Sequence, residues 1–208
     1  MRQKIFNFDF KDPNDVKNFY INDTNIDAFN GINNKNSNSI FLVGPQKCGK
    51  SFLSNIWIKK NNAIIYKNNF DELINQTSNI FIDNINEKKN EEELFHILNH
   101  CKLFNLKILI TSSLNINEIP FTLNDLISRL KIFTVLKINK PDDDMLINLL
   151  TKQFMEKQFI INSHDIFHFI LKNANRSYKD VYDIVNKLDS LSIEKKRQLT
   201  IPLIKEII

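Results

Sequence analysis

The octapeptide Gly44-Pro45-Gln46-Lys47-Cys48-Gly49-Lys50-Ser51 fits the spacing GxxxxGK[ST] and holds two of the three glycines in a 208-residue chain. Glycine permits backbone conformations that turn successive N–H groups inward as an anion-binding nest, and a helix N-terminus just behind adds the positive end of its dipole. In such a loop Lys50 reaches the β and γ phosphates of a nucleotide and the Ser51 hydroxyl ligates Mg²⁺. A chain this poor in glycine has kept it where a backbone must approach phosphate oxygens. The second chemical group is Asp83, which closes the apolar run Asn79-Ile80-Phe81-Ile82. A carboxylate at the exposed carboxyl end of a buried strand beside the phosphate loop can hold the water shell of Mg²⁺, the arrangement known as Walker B.

These groups need a parallel sheet to bring them together, and the chain patterns as one. Ser39 to Val43 reads as a buried strand, 51–60 as a helix, Asn62 to Tyr66 as a strand and Phe70 to Asn75 as a short helix. The run 79–83 follows as a strand; Glu91 to Asn105 then carries Leu94, Ile97, Leu98, Cys101 and Phe104 at helical spacing. Lys107 to Thr111 is a strand, Leu123 to Leu130 a helix, and Phe133 to Ile138 a final strand. Alternating strands and helices predict an α/β fold with right-handed crossovers. Past Pro141 the strand signal ends, and helices are expected from Asp142-Asp143-Asp144, from Ser163, from near Ser177, and after Thr200-Ile201-Pro202.

A hydrophobic content of 42% and a charged content of 25% are those of a globular protein long enough to bury a real core. No apolar run approaches the roughly 18 residues of a membrane span, and the N-terminus MRQKIFNFDF lacks a signal-peptide core, so a cytoplasmic protein is expected. Cys48 and Cys101 have neither disulfide nor zinc spacing. The net charge of +4 is mild and reads as a solvated surface. Arginine is scarcer than lysine, at Arg2, Arg129, Arg176 and Arg197. Its rigid bidentate fork makes each a candidate phosphate contact. His96 and His100, four apart on one helix, lack a third ligand and read as helix surface; Phe95, Phe104, Phe154, Phe159, Phe167 and Phe169 read as packing.

The order of motifs resembles the AAA+ ATPases and, within them, the DnaA family, over nearly the whole chain. The resemblance is carried by Ile82-Asp83-Asn84-Ile85 at Walker B and Leu109-Ile110-Thr111 through Glu118 at sensor 1. It continues through Leu126-Ile127-Ser128-Arg129-Leu130 and the tail from Arg176-Ser177-Tyr178-Lys179 to Thr200-Ile201-Pro202 and Lys205-Glu206-Ile207. It implies a fold of AAA+ P-loop NTPase type, a parallel sheet flanked by helices and followed by a small α-helical lid. The expected division is an N-terminal tail over 1–21, a nucleotide-binding domain over 22–139 and a lid over 140–208.

The resemblance further implies ADP or ATP with Mg²⁺ as ligands, held by residues 44–51 and Asp83, with Arg176 or Lys179 as the lid contact to phosphate. Arg129 takes the place of the arginine finger, which acts in trans on a neighbour's nucleotide; the plain alternative is a salt bridge at a helix end. Ser113 falls at the sensor 1 acid of the family, and Asn84 follows the Walker B aspartate where many AAA+ ATPases have a second acid. An amide cannot accept a proton from attacking water, so weak or no intrinsic ATPase is expected. Gln3, Ile5, Phe6 and Phe8 are similar to a peptide that docks on the replicative sliding clamp, with Lys4 in place of the usual leucine; an edge strand or tail is the other reading. DnaA would continue beyond Ile208 into a DNA-binding domain, which points here to a regulator rather than an initiator.

The implied role is negative regulation of replication initiation: stimulating hydrolysis of DnaA-bound ATP, with the clamp and DnaA as partners, DNA reached mainly through the clamp, and self-association left open. Two other readings stand beside it, an autonomous ATPase of helicase-loader type acting on single-stranded DNA and a factor that recruits DnaA.

Overall fold

Runs of β-branched and aromatic residues become five strands, β1 (Ser39–Val43), β2 (Ile64–Ile65), β3 (Ile80–Ile82), β4 (Ile108–Ser112) and β5 (Thr134–Lys137). All pair in parallel, in the order β2-β3-β4-β1-β5. The computed structural model describes residues 19–34, 37–67, 69–70, 73, 77–88, 90–161, 163 and 165–208. Register fixes the working edge of the sheet: Val43 stands opposite Ser112 on one side and Lys137 on the other, and Ile82 opposite Ile110. The carboxyl ends of β1, β3 and β4 therefore open together, where ligands bind in open α/β sheets.

Among the described residues, four helices cover the two faces: α1 (Ile26–Asn33), α2 (Lys50–Asn61), α3 (Glu91–Leu103) and α4 (Asn124–Leu130). Alternation along β1 separates them. Phe41 and Val43 join Leu94, Ile97 and Leu98 of α3 and Leu126 and Leu130 of α4 in one core. Ile40 and Leu42 join Ala28 and Ile32 of α1 and Leu53 and Trp57 of α2 in the other. The phosphate-loop helix and the helix bearing Arg129 thus lie on opposite faces of the sheet.

The C-terminal helices are α5 (Asp143–Glu156), α6 (Asp165–Asn173), α7 (Tyr178–Lys195) and α8 (Ile201–Ile204), and α5, α7 and α8 begin at caps legible in the sequence. Asp142 accepts from the Met145 N–H at 2.7 Å, Ser177 from the Asp180 N–H at 3.1 Å, and Thr200 from the Leu203 N–H at 3.5 Å. Their shared core centres on Phe154, fully buried, which meets Phe159 edge-on at 5.5 Å between ring centroids and Phe167 at 5.8 Å. Phe154→Ala is expected to lower unfolding free energy by about 3–5 kcal/mol, read by denaturant titration of the helical signal.

Two expectations are corrected: the stretch 62–66 narrows to a two-residue edge strand, and Phe104, placed with the packing residues, is 48% exposed. The helix α1 is an addition to the elements read from the sequence. Phe104 stands just past the end of α3, where its ring meets that of His100 at 4.7 Å. The helix expected over 70–75 falls largely outside the described residues.

Candidate functional site

Gly49 closes the phosphate loop at φ 98°, and α2 starts at the next residue with no side-chain cap. Its first N–H groups are thus left facing the loop interior, the donors a phosphate uses. The loop is built tightly. A Cβ on Gly44 would lie 2.9 Å from Cys48 Sγ and 2.9 Å from Ile138 Cβ; one on Gly49 would meet the Phe19 ring at 2.9 Å. Lys50 is buried at 8% exposure, and its Nζ donates to the Gly44 carbonyl at 2.7 Å and the Pro45 carbonyl at 2.8 Å. A buried ammonium satisfied, among the described residues, by two loop carbonyls is a cation ready to exchange them for anionic oxygens. Burial pushes the Cys48 thiol above its ordinary value, against the pull of the Lys50 ammonium, so Cys48 serves as a packing group.

Asp83 stands at the end of β3 with one carboxylate oxygen, Oδ1, accepting from the Thr111 hydroxyl at 2.5 Å. Thr111 Oγ1 in turn accepts from the Asn84 N–H at 2.9 Å, so β4 orients the acid. Asn84 has φ 49°, a left-handed conformation that asparagine tolerates, and its amide donates to Glu87 at 3.2 Å. Ser113, by contrast, engages Asn86, whose side-chain oxygen accepts its backbone N–H at 3.1 Å. The residues present suit a magnesium nucleotide: a cradle of uncapped N–H groups, Lys50, the Ser51 hydroxyl at the start of α2, and an oriented carboxylate with one oxygen uncommitted among the described residues.

Arg129 lies in the last turn of α4, half-buried, its guanidinium 5.3 Å from the centroid of the Phe95 ring of α3. Among the described residues no carboxylate pairs with it. It borders an open cavity of about 730 Å³ with Phe70, His96, Asn99, His100, Lys102 and Leu103. His96 tilts against both Phe70 and Phe95 at 6.0 Å.

The lid reaches the phosphate loop through Tyr178 and Tyr182, whose placement there sequence reasoning missed. Tyr178, at the start of α7, is buried in one core with Cys48, and its hydroxyl donates to the Asn139 carbonyl at 3.3 Å. Lys47 sits 5.7 Å from the Tyr182 ring centroid one turn on. Phe19 stacks on Phe52 at 4.9 Å and Phe29 at 6.0 Å beside Gly49. An aromatic among polar residues gives no such signal from spacing alone. Arg176 pairs at 3.3 Å with Asp143 on the surface, and Lys179 is exposed beside buried Tyr178. Gln3, Ile5, Phe6 and Phe8 lie outside the described residues.

A five-stranded parallel sheet with this loop, an acid-tipped β3 and a C-terminal helical cluster defines an AAA+ P-loop nucleotide-binding fold. The solved structures that it resembles include domain III of the Thermotoga maritima initiator DnaA, with 17% identity, TM-score 0.74, and coverage of 92% of this chain and 95% of that one. AMPPCP-bound DnaA from Aquifex aeolicus matches with 18% identity and TM-score 0.69 over 90% of this chain and 70% of that one. Residues 142–208 match the family model described as Hda, lid domain. The chain is thus similar to DnaA and, over its lid, to Hda. Its curated relatives include the chromosomal replication initiator DnaA of Buchnera aphidicola subsp. Cinara cedri, 28% identical over 201 residues that cover 82% of this chain and 45% of the relative. The DnaA of Buchnera aphidicola subsp. Baizongia pistaciae is 29% identical over 79% of this chain and 42% of the relative. The chain thus spans less than half the length of these two relatives. No helix among the described residues is long and apolar enough to cross a membrane.

Proposed function

We propose that this protein is a negative regulator of replication initiation that binds ADP or ATP with Mg²⁺, docks on the sliding clamp, and stimulates hydrolysis of ATP bound to DnaA. The observation that carries this reading is the placement of Arg129: on the sheet face opposite the phosphate-loop helix, cushioned on Phe95, with no carboxylate partner among the described residues. A guanidinium so held is suited to a nucleotide presented by a neighbouring subunit. Hda-type lid sequence and DnaA relatives support DnaA as that neighbour.

Within the protein's own site, residues 44–51 would hold the phosphates, with Lys50 neutralising charge and Ser51 and Asp83 holding Mg²⁺, the latter through water. Bound magnesium nucleotide supplies a polyanion that fixes the loop and the lid. Asn84 provides no carboxylate to take a proton, so the nucleotide acts mainly as a conformational ligand. Lys179 or Arg176 would complete the phosphate contacts, Lys179 being beside the buried Tyr178 and Arg176 being engaged with Asp143 on the surface.

The test is complex formation by sedimentation with DnaA carrying ATP or ADP, and with the clamp. Nucleotide-dependent association with DnaA is expected, and no association in any nucleotide state would overturn the proposal. Gln3→Ala with Phe6→Ala is expected to weaken clamp binding at least about tenfold, since deeply seated anchors dominate such contacts, while nucleotide affinity stays unchanged. Unaltered clamp binding would remove the peptide assignment.

A further inference from the structure

We propose that Glu91 is the positioning residue for Arg129, acting through α4; this rests on the reading of Arg129 as a group that works on a partner's nucleotide. α4 is only seven residues long, and its N-cap position is Leu123, whose side chain cannot cap. So short a helix is marginal by itself and leaves its first N–H groups without partners.

The two residues that lead into it are held instead by another helix. Glu91, first residue of α3, accepts from the Leu123 N–H at 2.7 Å and from the Thr122 N–H at 2.9 Å through Oε2. Its Oε1 accepts from the same Thr122 N–H at 3.1 Å and from the Thr122 hydroxyl at 3.2 Å. The carboxyl is held below the usual carboxylate range, chiefly by the Leu123 N–H, so it stands ionised over the positive end of α4.

One turn along α3 from Glu91 is Phe95, and at the far end of α4 is Arg129, with 5.3 Å between guanidinium and ring. α4 is thereby tied at both of its ends to the first turns of α3, by a carboxylate cradle and by a cation on an aromatic face. Leu126 and Leu130 bury α4 against the sheet face that α3 covers, but apolar packing leaves sliding along the groove and small rotations inexpensive. Directional hydrogen bonds to two consecutive N–H groups remove that freedom. Glu91 thereby sets the height and rotation of α4, and with them where the guanidinium points. A guanidinium displaced by an ångström loses its alignment on a transferring phosphoryl group.

Three variants separate geometry from charge. Glu91→Gln keeps an acceptor oxygen at the same reach without the charge; Glu91→Asp keeps the charge on a shorter arm; Glu91→Ala keeps neither. The maximal rate of DnaA-bound ATP hydrolysis at saturating regulator is expected to fall roughly 10- to 100-fold for Ala and Asp, and less than about threefold for Gln. Half-saturating concentration and the protein's own nucleotide affinity should be unchanged. In an Arg129→Ala background the same three changes should have no further effect.

A readout independent of stimulation is the NMR proximity of the Arg129 δ-methylene protons to the Phe95 ring, expected in wild type and Glu91→Gln and lost in Glu91→Ala and Glu91→Asp. Persistence of that contact in Glu91→Ala overturns the positioning role, whatever the partner assay shows. Losses of equal size with and without Arg129 overturn it as well. A lost contact in Glu91→Ala together with a wild-type protein that never stimulates DnaA would uphold the geometry and remove the partner reading instead.

Discussion

Arg129→Ala is expected to cut the stimulated hydrolysis of DnaA-bound ATP by about 10³-fold or more, the scale at which arginine fingers act on phosphoryl transfer. The size follows from where the guanidinium sits. It rests half-buried on the Phe95 face, 5.3 Å from the ring centroid, so its orientation is fixed before any partner arrives. Pre-set charge that meets the transition state without reorganising is the form of electrostatic stabilisation with the largest effect. Truncation should leave folding nearly intact, because Leu126 and Leu130 on the same helix supply the core contacts. Nucleotide affinity should hold too, since Arg129 is across the sheet from α2. Arg129→Lys is expected to recover little: an ammonium keeps the charge and loses the planar fork and its stacking on Phe95. Single-turnover hydrolysis of labelled ATP on DnaA measures this, with a parallel titration of nucleotide onto the variant. Undiminished stimulation by Arg129→Ala would remove the finger assignment.

Lys50→Ala should weaken binding of ATP by about 100-fold, equivalent to about 2.7 kcal/mol, the scale of a partly buried charge-assisted contact. In the present conformation the ammonium donates to the Gly44 and Pro45 carbonyls at 2.7 and 2.8 Å. Nucleotide binding exchanges these neutral acceptors for phosphate oxygens, and the difference between the two sets is what the substitution removes. Two carbonyls lose a donor in the variant, yet an isolated buried cation is also relieved, so the change in stability should be small beside the change in affinity. Fluorescent-nucleotide titration and thermal melts with and without ATP separate the two. A variant whose melting temperature still rises with ATP as wild type does would exclude Lys50 from the site.

The features legible from sequence are those in which one residue type has one physical reason to be present. Gly44, Gly49 and Lys50 mark the loop because close backbone approach and a single long cation are hard to build otherwise. Asp142, Ser177 and Thr200 mark helix starts because their side chains replace missing acceptors, and each does so. α1 escaped because IDAFNGIN carries an asparagine and a glycine within the helix, both poor helix formers. Gly31 is there for packing: a Cβ would sit 2.3 Å from Leu136 Cδ2. β2 is short because an edge strand has one partner: Ile64 and Ile65 pair with Ile80 and Phe81, and the Tyr66 N–H makes a last bond to the Phe81 carbonyl at 2.9 Å.

The less legible half of the site is its long-range supports. Glu91 is 31 residues from Thr122 in the chain, and Tyr178 is 154 residues from Thr24, whose hydroxyl lies 3.4 Å from the tyrosine oxygen. No local pattern encodes such pairs. Phe104 was misplaced for a related reason. Helical spacing continued through it, but α3 ends at Leu103 and the chain turns through Asn105 at φ 52°.

The measurement that bears most directly on the central claim is the rate at which ATP already bound to the cognate DnaA is hydrolysed, with and without this protein, on DNA carrying the sliding clamp. An acceleration that requires both the clamp and Arg129, with little turnover by the protein alone, is the predicted result. No acceleration of DnaA, with steady ATP turnover by the isolated protein, would contradict it.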